Sequence, residues 1–244
     1  MLRIKNLKKY FGGVKAVDDC SFNLDKNSIV ALIGPNGSGK TTLLNLISGI
    51  VKKNSGEIYF DNEKILSSSV FKVSNLGISR LFQHSRLFSN LSVRENLELG
   101  LRQDNTNFIK SVFGKKNFDN QEKQIKKISK LIGIESLMNR KAKDLSYGQK
   151  RLVEIARAIL KPHKVLLLDE PVAGVNPKLR REITSIIFNL KKSGETILFI
   201  EHDFDFVSSV ADKVIVMDEG KIIMQGHPRE IKNNKKVLEA YFGE

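Results

Sequence analysis

The 244-residue chain has no tryptophan, one cysteine, five prolines and four histidines. A single thiol excludes an internal disulfide and any metal cluster built on several thiolates. Cys20 lies in an apolar-looking segment, which favours a core thiol over a reactive one. Long hydrophobic runs are missing as well. The longest candidates, Ile29–Ile33 and Val165–Leu168, are strand-sized and far short of the roughly 18 residues that a bilayer span needs. Met1 to Lys9 alternates charged with apolar side chains and holds no signal-peptide core. The expected location is therefore cytoplasmic, unless a partner holds the chain at a membrane. Acidic residues are in deficit, 27 against 41 basic ones, for a net charge of +14. That balance raises nucleic acid or an anionic lipid surface as a partner. The basic residues are scattered, however, in short pairs such as Lys115-Lys116, Arg180-Arg181 and Lys235-Lys236, with no aromatic-interleaved ribbon. Such a distribution argues for solvated surface charge and against a nucleic-acid partner.

Apolar residues at 41% and charged residues at 28% are those of an ordered globular chain. Short strands are expected at Leu2–Ile4, Ser21–Leu24, Ile29–Ile33 and Glu57–Phe60, with a helix over Lys40–Ser48. The middle third is helical in pattern over Ser92–Leu101 and Gln121–Ile132, separated by a polar stretch, Arg102–Asn120, expected to be a loop. Strand and helix then alternate: Val165–Leu168, Lys178–Lys191, Thr196–Ile200, Phe204–Ala211, Lys213–Met217. This order argues for a largely parallel sheet with crossover helices. A hairpin at Glu219-Gly220 and a final helix over Pro228–Phe242 complete the reading.

Ile29–Ile33 runs into Gly34-Pro35-Asn36-Gly37-Ser38-Gly39-Lys40-Thr41, the G-x-x-x-x-G-K-[ST] spacing placed after a strand and before a helix. In such a loop, glycines let backbone amides curl around phosphate oxygens, and the helix adds the positive end of its dipole. Lys40 reaches the β and γ phosphates, Thr41 offers its hydroxyl to Mg²⁺, and Thr42 belongs to the same phosphate-binding set. Further on, Val165-Leu166-Leu167-Leu168 ends in Asp169-Glu170. An apolar strand ending in two carboxylates suits Mg²⁺ binding by Asp169 and activation of water by Glu170. Taken alone, the same pattern also fits a strand followed by a solvated acidic turn.

Between the two stands Leu145-Ser146-Tyr147-Gly148-Gln149, followed by a helix with Leu152, Ile155, Ala156, Ile159 and Leu160 on one face. Gln83 precedes it in Leu81-Phe82-Gln83, and His202 follows the strand Thr196–Ile200. These motifs, in this order, resemble those of ABC transporter ATPases over nearly the whole chain. The resemblance implies an α/β fold: a P-loop NTPase core with a mainly parallel sheet, an N-terminal antiparallel β subdomain and an inserted α-helical lobe. Residues 1–85 and 162–244 would form the core and 86–161 the lobe. It further implies a head-to-tail dimer, of two copies or of this chain with a related ATPase, in which Ser146, Gly148 and Gln149 bind the ATP held by the partner. Gln83 would touch Mg²⁺ and the attacking water, and His202 would hydrogen-bond the γ-phosphate and position Glu170. In isolation, Gln83 also reads as a polar strand end and His202 as a capping histidine. Phe11 stands where the family stacks a ring on adenine, with Tyr10 as a competitor.

Tyr147 replaces a common glycine, and Ala173-Gly174-Val175-Asn176 replaces a common Ser-Ala-Leu-Asp. Together with Glu201-His202-Asp203 and Ser79-Arg80-Leu81-Phe82-Gln83, these departures look like the ATPases of branched-chain amino acid importers. Urea or amide importers and a lipopolysaccharide exporter share much of the pattern. The resemblance implies work through membrane permease subunits, indirectly with a substrate-binding protein, at the inner face of the cell membrane.

Overall fold

The computed structural model of the protein describes residues 1–66, 69–81, 87–101 and 115–242. It divides into two compact units, the first of Met1–Arg80, His163–Ala173 and Ile187–Glu244, the second of Leu81–Pro162 and Gly174–Ile186.

The first unit holds an antiparallel sheet of β1 (Leu2–Phe11), β2 (Val14–Leu24), β4 (Ser55–Phe60) and β5 (Glu63–Lys64), in the order β2-β1-β4-β5. The first two strands are longer than the sequence suggests. Strict alternation fails because the β1–β2 register shifts between Ile4 and Leu7. Asn6 and Asp19 take positive φ there, 44° and 61°, and the Asn6 amide donates to the Asp19 carboxylate at 3.1 Å. Each bulge inserts a residue and re-aims the following side chain, so Leu7 and Cys20 stay buried while Lys5 and Asp19 face out.

The second sheet runs β10-β9-β3-β8-β7-β6, with β3 (Ile29–Ile33), β6 (Ile78–Leu81), β7 (Val165–Asp169), β8 (Thr196–Ile200), β9 (Lys213–Asp218) and β10 (Lys221–Gly226). β3 pairs parallel with β8 and β9, β7 pairs parallel with β8, and β9 and β10 pair antiparallel, the hairpin expected at Glu219-Gly220. Every residue of β3, β7 and β8 is buried, as strands covered on both faces require. Leu32 and Asp169 both face Ile200 across the ladder, so β3, β8 and β7 end level. β6 and the six-residue α2 (Val70–Asn75) are too short to show a period in the sequence.

Apolar side chains of both sheets merge with those of α1 (Lys40–Ile47) into one core that includes Leu7, Phe22, Leu32, Leu44, Leu167 and Met217. Each such side chain contributes roughly 1.5–3 kcal/mol of burial. After β8 comes α7 (Phe204–Val210), and near the C-terminus the expected single helix is two, α8 (Pro228–Lys232) and α9 (Lys235–Phe242). The break falls at two asparagines: Asn233 leaves the helical region, and the Asn234 side chain accepts from the Lys236 N–H at 3.0 Å.

In the second unit, α3 (Val93–Leu101), α4 (Lys115–Ile132) and α5 (Tyr147–Leu160) pack on one another. Ile125, Ile132, Leu97, Leu152 and Ile155 are buried, the inward stripe that the helical spacing predicts. Leu131, beside Ile132 in the same helix, is exposed. α4 starts six residues before the expected Gln121, and 102–114 of the polar stretch lie outside the described residues. Gly174–Ile186, with the first turns of α6 (Pro177–Lys192), belongs to this unit rather than to the α/β core as expected. The reason is local: a β-carbon added to Gly148 would meet the Leu179 side chain at 2.7 Å, so α6 lies close against the start of α5.

Candidate nucleotide site

Because the parallel strands end level, whatever follows β3, β7 and β8 gathers at one edge of the first unit, the edge at which open α/β sheets bind ligands. The turn after β3 depends on glycine. Gly39 has φ 99°, and a β-carbon there would stand 2.0 Å from the Ala16 carbonyl oxygen. At Gly34 it would stand 2.0 Å from the Met217 carbonyl oxygen. The backbone is thus pressed against its neighbours on one side, while Asn36, Gly37 and Thr41 are exposed. Thr42 is half-buried and Ser38 buried. Lys40 opens α1, and its buried ammonium donates to the Gly34 and Pro35 carbonyls, both at 2.8 Å, and to Ser38 Oγ at 3.3 Å. Burial lowers its pKa, against the pull of the Glu170 and Asp169 carboxylates. The positive end of the α1 dipole adds to that ammonium.

Asp169 closes β7. Its Oδ2 accepts from Arg80 Nη2 at 2.8 Å, with both side chains buried. Arg80 also donates through Nη1 to Asn45 Oδ1 and Ser48 Oγ, at 2.7 and 3.0 Å. A desolvated ion pair adds little net stability, so its consequence is orientation: the guanidinium fixes the Asp169 carboxylate relative to α1. Sequence reasoning met Arg80 only as part of a motif string. Its place in Ile78-Ser79-Arg80-Leu81, a basic residue in a four-residue strand, is the one local signal, and it names no partner.

Glu170 has φ 49°, a left-handed conformation that costs a side-chain-bearing residue roughly 1–2 kcal/mol. Its N–H donates to the Ile200 carbonyl at 3.1 Å and its carbonyl accepts from Ala173 at 3.2 Å. These bonds hold the turn and present the side chain, whose Oε1 lies 3.2 Å from Nε2 of the exposed His202. Next to His202, Glu201 is buried. Burial pushes its carboxyl up to about 7, with the Glu170 and Asp203 charges acting in the same direction.

The structure therefore brings Lys40, Asp169, Glu170 and His202 to one edge, while Gln83 lies outside the described residues. Phe11 ends β1 with 48% of its surface exposed and the Lys9 ammonium 4.7 Å above its ring. Tyr10 instead donates its hydroxyl to Asp18 at 2.7 Å, leaving Phe11 as the open aromatic face. In the second unit Ser146 caps α5. Its Oγ accepts from the Gln149 N–H at 3.3 Å, and Gln149 Oε1 accepts from the Ser146 N–H at 3.0 Å. This is a capping box, legible as Ser-x-x-Gln yet missed.

A largely parallel sheet with a glycine turn after one strand, a lysine opening the next helix and acidic residues at the end of the next strand but one defines the P-loop nucleoside triphosphatase class. The family described as "ABC transporter" matches residues 17–173. A probable branched-chain amino acid transport ATP-binding protein LivG from Methanocaldococcus jannaschii is 39% identical, over 100% of this chain and 98% of its own length. The high-affinity branched-chain amino acid transport ATP-binding protein BraF of Pseudomonas aeruginosa is 35% identical, with the same coverage. Among solved structures, a nucleotide-free ATP-binding cassette from an ABC transporter superposes with a TM-score of 0.87 at 38% identity, covering 100% of this chain and 99% of that one. A dimeric cassette bound to ADP and Pi gives 0.80 at 26%, covering 94% and 99%. The chain belongs to the ABC transporter family: it is an ATP-binding cassette, the ATPase component of a transport system. No helix among the described residues is long and apolar enough to cross a membrane.

Proposed function

We propose that this cassette hydrolyses Mg²⁺-bound ATP at the edge formed by β3, β7 and β8, and completes its site only on a second chain. The observation that carries the first half is the 3.2 Å contact between His202 Nε2 and Glu170 Oε1, at the same sheet edge as the Lys40 turn. The turn from Gly34 to Thr42 binds the phosphates through its N–H groups and Lys40, and Phe11 stacks on the adenine. Glu170 orients the attacking water and accepts its proton. His202 keeps the Glu170 carboxylate in place and hydrogen-bonds the γ-phosphate.

The residues present fit Mg²⁺. Asp169 supplies a carboxylate fixed by Arg80, Thr41 a hydroxyl at the start of α1, and Gln83 an amide oxygen. One carboxylate with other oxygen donors and substrate phosphates is the donor set this ion takes. When bound, it neutralises charge developing between the β and γ phosphates.

The second half rests on the second unit. Ser146, Gly148 and Gln149 form a helix N-terminus with exposed or half-buried groups, suited to the γ-phosphate of ATP on a partner. That partner is a second copy or a related ATPase. Closing and opening of the pair would drive permease subunits at the cytoplasmic face of the membrane, served indirectly by a substrate-binding protein. Full-length relatives named for branched-chain amino acid transport support uptake of branched-chain or related hydrophobic amino acids. The test is the order of the reaction: Mg²⁺-dependent hydrolysis should rise more than linearly with chain concentration. First-order behaviour, without ATP-induced dimers on size-exclusion chromatography, would overturn the shared site.

A further inference from the structure

Beyond the groups assigned to nucleotide, one buried ionisable side chain lies against the reacting carboxylate's own loop. Glu201 follows the last residue of β8, 3% exposed, where an apolar residue would satisfy the core at no desolvation penalty. Its oxygens meet backbone donors. Oε1 accepts from the Val172 N–H at 2.8 Å, and Oε2 accepts from the His202 N–H at 3.3 Å. A carboxylate, which can only accept, matches two N–H donors.

The identity of Val172 matters. Pro171 carries no N–H, so after Glu170 itself the first backbone donor is that of Val172. The Glu170 N–H goes to Ile200 and the Val172 N–H to Glu201, so both donors of this short loop are bound by consecutive residues at the end of β8. The ring closes through His202 Nε2 and Glu170 Oε1 at 3.2 Å. Glu170 sits in left-handed backbone, a conformation that persists only where surrounding bonds over-determine it. Glu201 supplies one of those bonds and also orients the backbone from which His202 projects.

We propose that Glu201 is a positioning residue for ATP hydrolysis, clamping the loop after Glu170 and the base of His202 so that the two side chains stay in register. The proposal rests on the roles given above to Glu170 and His202. Its reach is the geometry of both groups rather than contact with nucleotide.

The experiment compares steady-state hydrolysis by the full chain carrying Glu201→Ala, Glu201→Gln, His202→Ala and the double substitution Glu201→Ala with His202→Ala. Glu201→Ala should lower kcat roughly ten- to hundredfold, the scale of a misplaced catalytic group, and leave the KM for ATP within about twofold. Glu201→Gln keeps an acceptor for Val172 and should recover most of the rate. In the double variant Glu201→Ala should add clearly less to the loss caused by His202→Ala than it costs alone, because groups acting as a unit are not additive; what remains is its effect on the Glu170 loop. Wild-type kcat in Glu201→Ala, or a loss that multiplies undiminished on His202→Ala, overturns the clamp. If Glu201→Ala does not fold, Glu201→Gln alone and combined with His202→Ala carries the same comparison, with a few-fold loss expected in the first background and a smaller one in the second. A His202→Ala chain as fast as wild type would instead refute the role of His202, a failure distinct from that of Glu201.

Discussion

Two turns at the same sheet edge hold left-handed backbone, and they reach it by opposite means. After β3, Gly34, Gly37 and Gly39 take φ of 150°, 83° and 99° with no side chain to strain. After β7, Glu170 takes φ 49° and keeps a full side chain. The first turn presents main-chain N–H groups, for which the best side chain is none. The second must present a carboxylate at a fixed place, so glycine is not available and the strain is carried. On the proposed function, binding falls to backbone and chemistry to a side chain held against its preference.

The comparison is broken most directly at Glu170. Glu170→Gln keeps size and hydrogen-bonding shape but not basicity, and should lower kcat by about 10²- to 10⁴-fold while ATP binding, followed with a fluorescent analogue, persists. Wild-type turnover in that variant would assign water activation to another group. The glycine turn should fail differently. Gly39→Ala places a β-carbon 2.0 Å from the Ala16 carbonyl oxygen at φ 99°, and is expected to cost at least about 3 kcal/mol in urea unfolding, together with nucleotide affinity. Gly37→Ala meets nothing within 4 Å and should cost only about 1 kcal/mol. Equal losses in the two alanine variants would mean that close packing is not what selects glycine.

The same contrast explains what could be read from the sequence. The glycine turn was legible because its chemistry lies in residue type and spacing: Gly34 stands five residues before Gly39-Lys40. Strands β3, β7 and β8 were legible because full burial makes them continuous apolar runs. β1 and β2 are longer than the expected Leu2–Ile4 and Ser21–Leu24 because bulges at Asn6 and Asp19 interrupt alternation, and the expected C-terminal helix is two because nothing in its apolar pattern marks the break at Asn233. Gly174–Ile186 was placed with the core because chain order cannot show that Leu179 packs on Gly148. The strain at Glu170, the Arg80–Asp169 pair and the Glu201 clamp were beyond reach for one reason. Each joins residues far apart in the chain whose types, taken singly, have ordinary surface roles.

Glu201 makes the second turn pH-sensitive in a way the first is not. Its carboxyl is raised from 4.5 to about 7 in the folded chain, mainly by burial, with Glu170 and Asp203 adding to the shift and the Val172 and His202 N–H groups opposing it. Between these values the folded state holds a proton that the unfolded state has released, so stability falls as pH rises. Below the unfolded value there is no penalty, and above about 7 it is complete. Glu201→Gln removes the titration, so wild type should lose about 2–3 kcal/mol relative to the variant as pH rises from 4.5 to 7. Urea midpoints at several pH values measure this. Parallel curves for the two chains would show that the carboxyl titrates normally.

The smallest effect isolates the strain itself. Glu170→Ala and Glu170→Gly both delete the carboxylate, so both should lose turnover and the His202 contact alike. They differ only in the β-carbon. Alanine keeps it in left-handed backbone, whereas glycine adopts φ near 49° freely but gains freedom in the unfolded chain. Relief of about 1–2 kcal/mol set against the entropy penalty of glycine, about 0.4–1 kcal/mol, leaves the glycine variant ahead by about 0.8 kcal/mol at the middle of those ranges. Matched urea unfolding curves of the two inactive variants resolve a difference of that size. An alanine variant as stable as the glycine one would mean that the turn relaxes once the side chain is gone, and that the carboxylate's own contacts, rather than the backbone bonds to Ile200 and Glu201, hold Glu170 in place.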